Sequence, residues 1–343
     1  MENPLIDMGI IGSGYAFGNI VPVEDQIEFY SKDAKLVRSW GYESFSKADN
    51  YGLAVDLAVQ AARNAIQDAD ISPAEIDFII FSLSFVPDYL MWDCAAKIQH
   101  DIQATNADTI WINQACISTL ISFEQVAARF LLRKEAKTAL LVSADKIPEA
   151  YVNRMESVRC ILADGAGAHV IKKGIKSKRW LTTTSITKGQ YSELMRLEVG
   201  GCRKPFKAGM TQDDLKDTMQ ERTLSFFDNN ITLLFKFRDE IYDELYNVFD
   251  KCLTNSGIKK EQVKYYIYIN DSLQNYKLVT DRFDIPLDMT SYDFSKKYGH
   301  MGTSDQIITL ALILENNMFE TGDVIALLGF GYGWHWACTL IQI

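Results

Sequence analysis

Two apolar strand-to-helix segments dominate the pattern of hydrophobic and polar positions along this chain. Residues 109–114 have the composition of a strand, and apolar residues then recur at helical spacing over residues 117–132. Near the other end of the chain, residues 300–317 contain a second apolar helix. The pattern therefore predicts that Cys116 and His300 each stand where a helix begins.

The segments around these two helix starts correspond to each other. A strand begins at Ile76, 40 residues before Cys116, and another begins at Val263, 37 residues before His300. A further apolar strand begins 23 residues after the cysteine and 24 residues after the histidine. A period near half the chain length indicates an internal duplication. We expect the two equivalent helix starts to face each other across a pseudo-twofold axis.

Each half of the chain has the element order β-α-β-α-β-α-β-β. This order predicts a layered α/β arrangement with mostly parallel sheets. The charged segment at residues 172–179 separates the halves, and we interpret its charge as solvation rather than binding. The predicted halves are residues 1–175, which carry Cys116, and residues 176–343, which carry His300 and a glycine-rich tail.

Composition and charge narrow the possible functions. The chain has 343 residues, 48% of them hydrophobic and 23% charged, which is typical of a globular enzyme. The net charge of −10 argues against nucleic acid and anionic membranes as main partners. We find no apolar run that approaches the roughly 18 residues needed to span a bilayer.

The cysteines and histidines argue against disulfides and metal. The six cysteines show no CxxC spacing, and with only four histidines a zinc site is not expected. Free thiols in a reducing cytoplasm are the expected state. We therefore predict a cytoplasmic protein without a metal.

Cys116 and His300 are the candidates for chemistry. A helix start offers unpaired N–H groups and a positive dipole end, which favour a thiolate and could hold an oxyanion. The alternative is that Cys116 is a buried structural cysteine. Asp305 could orient His300 only if residues 301–303 are non-helical, because a spacing of five does not share a helix face. Gly302 permits such a bend, and a simple role at the helix start is the alternative for Asp305.

Several motifs together carry a resemblance to a known family. They are the strand–Ala115-Cys116–helix segment, residues 163–168 (Ala-Asp-Gly-Ala-Gly-Ala) and the tail at residues 329–334 (Gly-Phe-Gly-Tyr-Gly-Trp). On these motifs the chain resembles the 3-oxoacyl-acyl-carrier-protein synthase III branch of the thiolase-like superfamily, over nearly its whole length. The resemblance implies a duplicated thiolase-like α/β fold, layered α-β-α-β-α, with two pseudo-twofold-related halves.

The resemblance also implies roles for individual residues. Cys116 matches the cysteine that takes the acyl group. The family's histidine position falls on Asn270 and its asparagine position on His300, so the two partners have traded places. Asp305 resembles the acid of a divergent subgroup with a histidine–acid pair, which includes starter-unit synthases and acyltransferases of natural-product pathways. The backbone N–H groups of Cys116 and of the Gly331-Tyr332 turn would form the oxyanion hole.

The implied activity is acyl transfer through Cys116. The acyl group would come from acyl-CoA or an acyl carrier protein and pass to a malonyl-thioester carbanion, in fatty acid or polyketide biosynthesis. One alternative is an acyltransferase that makes an ester or amide in a natural-product pathway, and another is a non-catalytic partner subunit. No cofactor is expected.

Partners follow from the same resemblance. Arg38, Trp40 and Arg154 are the candidates for contacts with the phosphate and adenine of CoA. A homodimer is expected, in which the strand at residues 109–114 pairs across the twofold axis, since an unpaired apolar edge strand would invite aggregation. Neither nucleic acid nor membrane is expected as a partner.

Overall fold

The computed structural model describes residues 6–49, 52–156, 160–215 and 219–343. The strands in the described residues are β1 (Met8–Phe17), β2 (Asn19–Pro22), β3 (Ser44–Lys47), β4 (Phe78–Ser82), β5 (Asp108–Ile112), β6 (Thr138–Asp145), β7 (Gly165–Lys173), β8 (Arg179–Thr187), β9 (Val263–Ile267), β10 (Val324–Gly331) and β11 (His335–Gln342). The α-helices are α1 (Ile27–Tyr30), α2 (Ala34–Ser39), α3 (Ala54–Asp68), α4 (Cys94–Asp101), α5 (Ser118–Leu132), α6 (Gln212–Leu215), α7 (Met219–Phe226), α8 (Ile231–Ser256), α9 (Leu273–Phe283), α10 (Tyr292–Tyr298) and α11 (Asp305–Glu315).

The strand order shows the duplication. Nine strands follow the order β5-β4-β6-β7-β1-β8-β11-β10-β9. From each edge towards the centre, parallel pairing gives way to antiparallel pairing: β4 with β6 and then β6 with β7, and β9 with β10 and then β10 with β11. A parallel bridge between Tyr266 and Thr290 stands where a counterpart of β5 would lie. The two halves meet where β1 contacts β8.

The sheet is mixed, so the expectation of mostly parallel sheets was wrong. Antiparallel pairs join β6 to β7, β7 to β1, β10 to β11 and β11 to β8. The reason lies in the connections. A parallel pair needs a crossover, whereas the described residues between β6 and β7, and those between β10 and β11, contain no helix. The predicted boundary at residues 175 and 176 falls in the turn between β7 and β8, and it stays a prediction.

In each half of the chain, helices cover the outer face of the strands. Two further helices lie between the strands of the two halves. Helices α3 and α4 pack on the outer face of the first half, and α8 and α9 on that of the second. Helices α5 and α11 share the central core with strands of both halves. In α11 the residues from Asp305 to Leu314 are all buried, as expected for a helix enclosed on every side. The predicted duplicated, layered α/β fold is confirmed.

One helical segment in the described part of the chain is long and apolar enough to cross a membrane by length and composition. This is Ala115–Leu132, and it contradicts the expectation that no apolar run approaches that length. Sixty-one per cent of the segment is buried inside the protein. Length and composition alone are weak evidence for a membrane span, because a helix buried in a protein core meets the same criteria.

Candidate active site

Cys116 lies in a sharp turn between β5 and α5. Strand β5 ends at Ile112 and α5 begins at Ser118, so the predicted strand and helix are each shortened slightly at this point. Ala115 adopts a positive φ of 54°, which is uncommon for a residue with a Cβ. The turn therefore holds the half-buried Cys116 between the two elements rather than within the helix.

The first N–H groups of α5 already have partners. The Ser118 N–H donates to the Ala115 carbonyl (3.1 Å), and the Thr119 N–H donates to Thr303 Oγ1 (3.2 Å). The expectation of unpaired helix-start N–H groups therefore does not hold at these two positions. The observed polar partner of the Cys116 sulfur is an imidazole.

His300 brings that imidazole to the sulfur from the other half. Its Nε2 lies 3.4 Å from Cys116 Sγ. The His300 N–H donates to the Ile161 carbonyl and the His300 carbonyl accepts from the Ala163 N–H, each at 2.8 Å. The backbone of His300 is thus held by the segment before β7, which belongs to the same half as Cys116.

Asp305 completes a line of three side chains. Its Oδ2 lies 2.5 Å from His300 Nδ1, and it also accepts from the Asn270 N–H (2.7 Å). Asp305 is fully buried and His300 is only 8% exposed. Because the carboxylate accepts at Nδ1, the ring carries its hydrogen there when neutral, and Nε2 faces the thiol as an acceptor. The pair can therefore take the thiol proton.

Two opposing effects act on the pKa of His300. Burial favours the neutral ring, but the negative charges of Asp305 and of a Cys116 thiolate outweigh burial and raise the pKa of His300 well above its usual value. An imidazolium at position 300 would stabilise a thiolate at position 116 across the 3.4 Å contact.

The histidine and the acid meet because the chain between them is not α-helical. Residues Gly302–Ser304 form a 3₁₀ turn, and α11 begins only at Asp305. Gly302 has a φ of +59°, a conformation that glycine adopts most easily. Asp305 also accepts from the Met301 N–H (2.7 Å), so it stabilises this turn as well as contacting the imidazole.

Asn270 is buried beside the pair, and its amide donates one hydrogen bond to the backbone. Its Nδ2 donates to the Gly299 carbonyl (2.8 Å), and its backbone carbonyl accepts from the Tyr42 hydroxyl (3.2 Å). Within the described residues, Asn270 Oδ1 is buried without a hydrogen-bond partner. The structure therefore places Asn270 next to Asp305, and its role in chemistry stays a prediction.

The glycine-rich tail packs directly on the nucleophile turn. A Cβ at Gly331 would lie 2.6 Å from Ala115 Cβ and 2.8 Å from the Cys116 nitrogen. The next residue, Tyr332, donates its hydroxyl to the Ser84 carbonyl. Burial, followed by the nearby Cys116 and Asp145, raises the pKa of Tyr332 and keeps that donor protonated. The oxyanion role of these backbone groups stays a prediction.

The structure does not favour two of the three candidate CoA contacts. Arg154 is 1% exposed and lies between Asp164 (2.8 Å) and Glu149 (2.5 Å). Trp40 is 3% exposed, so it offers no open face to an adenine. Both side chains are enclosed by segments that the local pattern did not connect, and their contact with CoA stays a prediction that this burial does not favour. Arg38 is exposed and pairs with Glu24 (2.9 Å).

Three polar residues near the site were not predicted. Thr119 and Thr303 contact each other through their hydroxyls (2.7 Å), and Asp145 accepts from the Thr303 N–H (2.8 Å). The internal duplication contained a signal for the first pair, since 184 residues separate Thr119 from Thr303 just as they separate Cys116 from His300. No group of three or more His, Cys, Asp and Glu side chains in the described ranges is arranged to hold a metal ion.

Two family models match parts of the chain. The model of the 3-oxoacyl-[acyl-carrier-protein] synthase III C-terminal region matches residues 253–343, and that of 3-oxoacyl-[acyl-carrier-protein] synthase III matches residues 112–189. A beta-ketoacyl-[acyl-carrier-protein] synthase III of Clostridium perfringens is 28% identical over 340 residues, covering 97% of this chain and 98% of the relative. One from Clostridium tetani is 26% identical over 292 residues, covering 84% of this chain and 83% of the relative.

Solved structures share the fold over nearly the full length. ChlB3, described as an acyltransferase, has a TM-score of 0.87 at 21% identity and covers 98% of each chain. The 3-oxoacyl-[acyl-carrier-protein] synthase III of Aquifex aeolicus has a TM-score of 0.79 at 23% identity, covering 98% of this chain and 100% of that one. These likenesses confirm the thiolase-like character of the predicted fold.

Proposed function

From the similarity to the 3-oxoacyl-acyl-carrier-protein synthase III family, we propose that the chain belongs to this family, loads an acyl group onto Cys116 and condenses that group with a malonyl thioester. The donor would be an acyl-CoA or an acyl carrier protein thioester. The observation that supports the proposal is the line of three side chains, with 3.4 Å from Cys116 Sγ to His300 Nε2 and 2.5 Å from His300 Nδ1 to Asp305 Oδ2.

Loading begins with proton transfer from Cys116 to His300 Nε2. The thiolate attacks the carbonyl carbon of the donor thioester, and the backbone N–H groups of Cys116 and of the Gly331-Tyr332 turn hold the oxyanion. Collapse of the tetrahedral intermediate breaks the bond to the donor sulfur. That sulfur leaves as a thiolate and takes the proton from His300, so the acyl enzyme forms with a neutral imidazole.

Condensation uses His300 in its protonated form, which the neutral imidazole of the acyl enzyme reaches by taking a proton from solvent. The malonyl carboxylate leaves as CO₂ and its bonding electrons form an enolate, which attacks the acyl carbon on Cys116. An imidazolium donates a hydrogen bond to the enolate oxygen, and Asn270 is the candidate for a second donor. The Cys116 sulfur leaves as a thiolate paired with that imidazolium. Burial favours the neutral ring, but the negative charge of Asp305 raises the pKa of His300, and this contribution persists while Cys116 is acylated and uncharged.

A second candidate is transfer to an alcohol or amine. The hydrogen bond between Asp305 and Nδ1 leaves Nε2 of a neutral His300 free to act as a base. Condensation would use the Asn270 amide as a donor, and one of its two hydrogens is already bonded to the Gly299 carbonyl. In this reaction His300 takes the proton of the acceptor and returns it to the Cys116 sulfur as the ester or amide forms.

An assay of the second half-reaction separates the two candidates. Acyl-loaded enzyme is offered malonyl-CoA, malonyl acyl carrier protein, or water-soluble alcohols and amines. A 3-oxoacyl product with release of CO₂ supports condensation. An ester or amide without CO₂ release supports the second candidate. If neither forms from any acceptor, both fail. The family assignment favours an active enzyme over the non-catalytic subunit considered above.

Partners form part of the proposal. Strand β5 lies at one edge of the sheet, and its Trp111 side chain is 36% exposed. Pairing of β5 with the same strand of a second copy would cover this edge. We therefore infer a homodimer. From the similarity to the family, we also infer an acyl carrier protein as donor or acceptor and a cytoplasmic location.

A further inference from the structure

The turn between His300 and Asp305 is held by a carboxylate from the other half of the protein. Asp145 ends β6, and its Oδ2 accepts from the Thr303 N–H in the middle of that turn (2.8 Å). A Cβ at Gly302 would lie 2.1 Å from the same oxygen. The carboxylate thus lies directly against the backbone that brings His300 and Asp305 together.

Asp145 itself is fixed by further hydrogen bonds. Its Oδ1 accepts from the N–H groups of Ser84 and Phe85 (2.9 Å each), and its Oδ2 accepts from the Ser84 hydroxyl (2.7 Å). The side chain is fully buried. Three of the four donors around this carboxylate come from the segment after β4, so its position is set by the half that carries Cys116.

A second contact holds the same turn from α5. The Thr119 hydroxyl donates to the Thr303 carbonyl (2.5 Å), and the Thr119 N–H donates to Thr303 Oγ1 (3.2 Å). Thr119 is three residues after Cys116, so Thr303 is tied to the helix that follows the nucleophile. Both polar backbone groups of Thr303 therefore have partners in the first half of the chain.

We propose that Asp145 is a positioning residue, which holds the turn at residues 301–304 so that Asp305 stays on the His300 imidazole facing Cys116. It touches neither reacting atom and acts through the Thr303 N–H. The proposal rests on the proposed role of Cys116 and His300. Without the carboxylate, the Thr303 N–H would be buried without an acceptor and the turn would shift, so that Asp305 would stabilise a protonated His300 less.

The test is the pH profile of Cys116 alkylation. Iodoacetamide reacts with the thiolate, and the modified Cys116 peptide is measured by mass spectrometry from pH 5 to 9. In Asp145→Asn the midpoint is expected about one pH unit higher than in the wild type, because a less stable imidazolium at His300 stabilises the reactive thiolate less.

Asp77→Asn is the matched control. Asp77 precedes β4 and accepts from the Lys137 N–H (2.7 Å) and the Thr138 N–H (2.9 Å), at the opposite end of the same two strands. Its loss would lower stability in a comparable way, but the midpoint is expected to stay that of the wild type. A folded Asp145→Asn with an unchanged midpoint would overturn the proposal, as would an equal shift in Asp77→Asn.

A second variant keeps the test valid if Asp145→Asn does not fold. Thr119→Val removes the hydroxyl contacts to Thr303 with little change in volume, and its midpoint is expected to move in the same direction. An unchanged midpoint in Thr119→Val would then overturn the proposal. Failure of the proposed function would look different: the wild type would accept no acyl group from any thioester, whatever the alkylation profiles show.

Discussion

The sulfur of Cys116 and the imidazole Nε2 of His300 lie 3.4 Å apart, although 184 residues separate them along the chain. Thr119 and Thr303, which contact each other three residues further along each segment, have the same separation. The two reacting side chains thus occupy equivalent positions in the two halves of a duplicated fold. Each half contributes one member of the pair, so the chemistry depends on how the halves pack.

His300 and Asn270 are expected to differ in their importance for activity. His300→Ala should abolish transfer with any acceptor, because near neutral pH an imidazole can take and return a proton. Asn270→Ala should leave measurable activity if the acceptor is an alcohol or amine, since an amide cannot act as a base. Asp305→Asn should lower activity by weakening the orientation of His300. Product formation is measured for all three variants.

Condensation predicts a different ratio between the activities of the same variants. If both side chains donate to the enolate oxygen, each change should cost on the order of 100-fold or more in rate. Comparable losses in His300→Ala and Asn270→Ala with a malonyl thioester would therefore identify condensation. Full activity in His300→Ala would contradict both mechanisms and leave His300 as a packing residue.

A methyl group at Gly331 is expected to disturb the nucleophile turn. The added Cβ would meet Ala115 Cβ at 2.6 Å and the Cys116 nitrogen at 2.8 Å, so the turn must shift. Displacement of a reacting group by about 1 Å can cost on the order of 100-fold in rate. Gly331→Ala should therefore slow acylation of Cys116, while Gly201→Ala, where nothing lies within 4 Å of the new Cβ, should not. Equal rates in the two variants would argue against this role of the tail.

Acid should destabilise the protein partly through His169. This histidine is fully buried, and burial, followed by the charge of Lys178, lowers its pKa to about 3. The unfolded chain has an ordinary histidine there and binds a proton below about pH 6.5, which the native state does not. Stability contributed by the neutral ring is thus complete above pH 6.5 and is lost as the pH falls from there towards 3.

The contribution of His169 to the pH dependence of stability can be measured. From pH 7 to pH 5 the His169 contribution should fall by about 2 kcal/mol. Urea unfolding at the two pH values should therefore show a smaller loss in His169→Gln than in the wild type. An identical loss in both proteins would show that His169 is not kept neutral in the folded state.

Light scattering tests the inferred dimer. We expect twice the chain mass at micromolar concentration, because pairing of β5 would cover an otherwise open sheet edge. Trp111→Asp places a charge on an exposed position of that strand and should shift the protein towards monomer. A monomeric wild type would contradict the inference.

Local patterns were sufficient to predict the elements around the site. Hydrophobic spacing is a property of neighbouring residues, so the strand before Cys116 and the helix after it were predicted to within about two residues of β5 and α5. The duplication placed His300 opposite, since equivalent segments of repeated halves occupy equivalent places. The apolar character of Ala115–Leu132 was underestimated because serine, threonine, glutamate and glutamine interrupt the segment.

Contacts between distant segments could not be predicted in this way. The burial of Arg154 depends on Asp164 and Glu149. Trp40 packs in a cluster with residues from both halves of the chain. Neither arrangement has a local signature. Asp145 is another case, because its four donors come from two segments far apart in the chain. The antiparallel strand pairs were not predicted for a similar reason. Their direction depends on how the strands are connected rather than on the composition of the strands.

Intact-mass spectrometry after incubation with short and medium acyl-CoAs tests the central claim most directly. We predict an increase in mass by one acyl group in the wild type and in Cys202→Ala, where a solvent-exposed thiol has been removed. Cys116→Ala should show no increase. The absence of an adduct with every donor would contradict the account, and so would an adduct that persists in Cys116→Ala and disappears in Cys202→Ala.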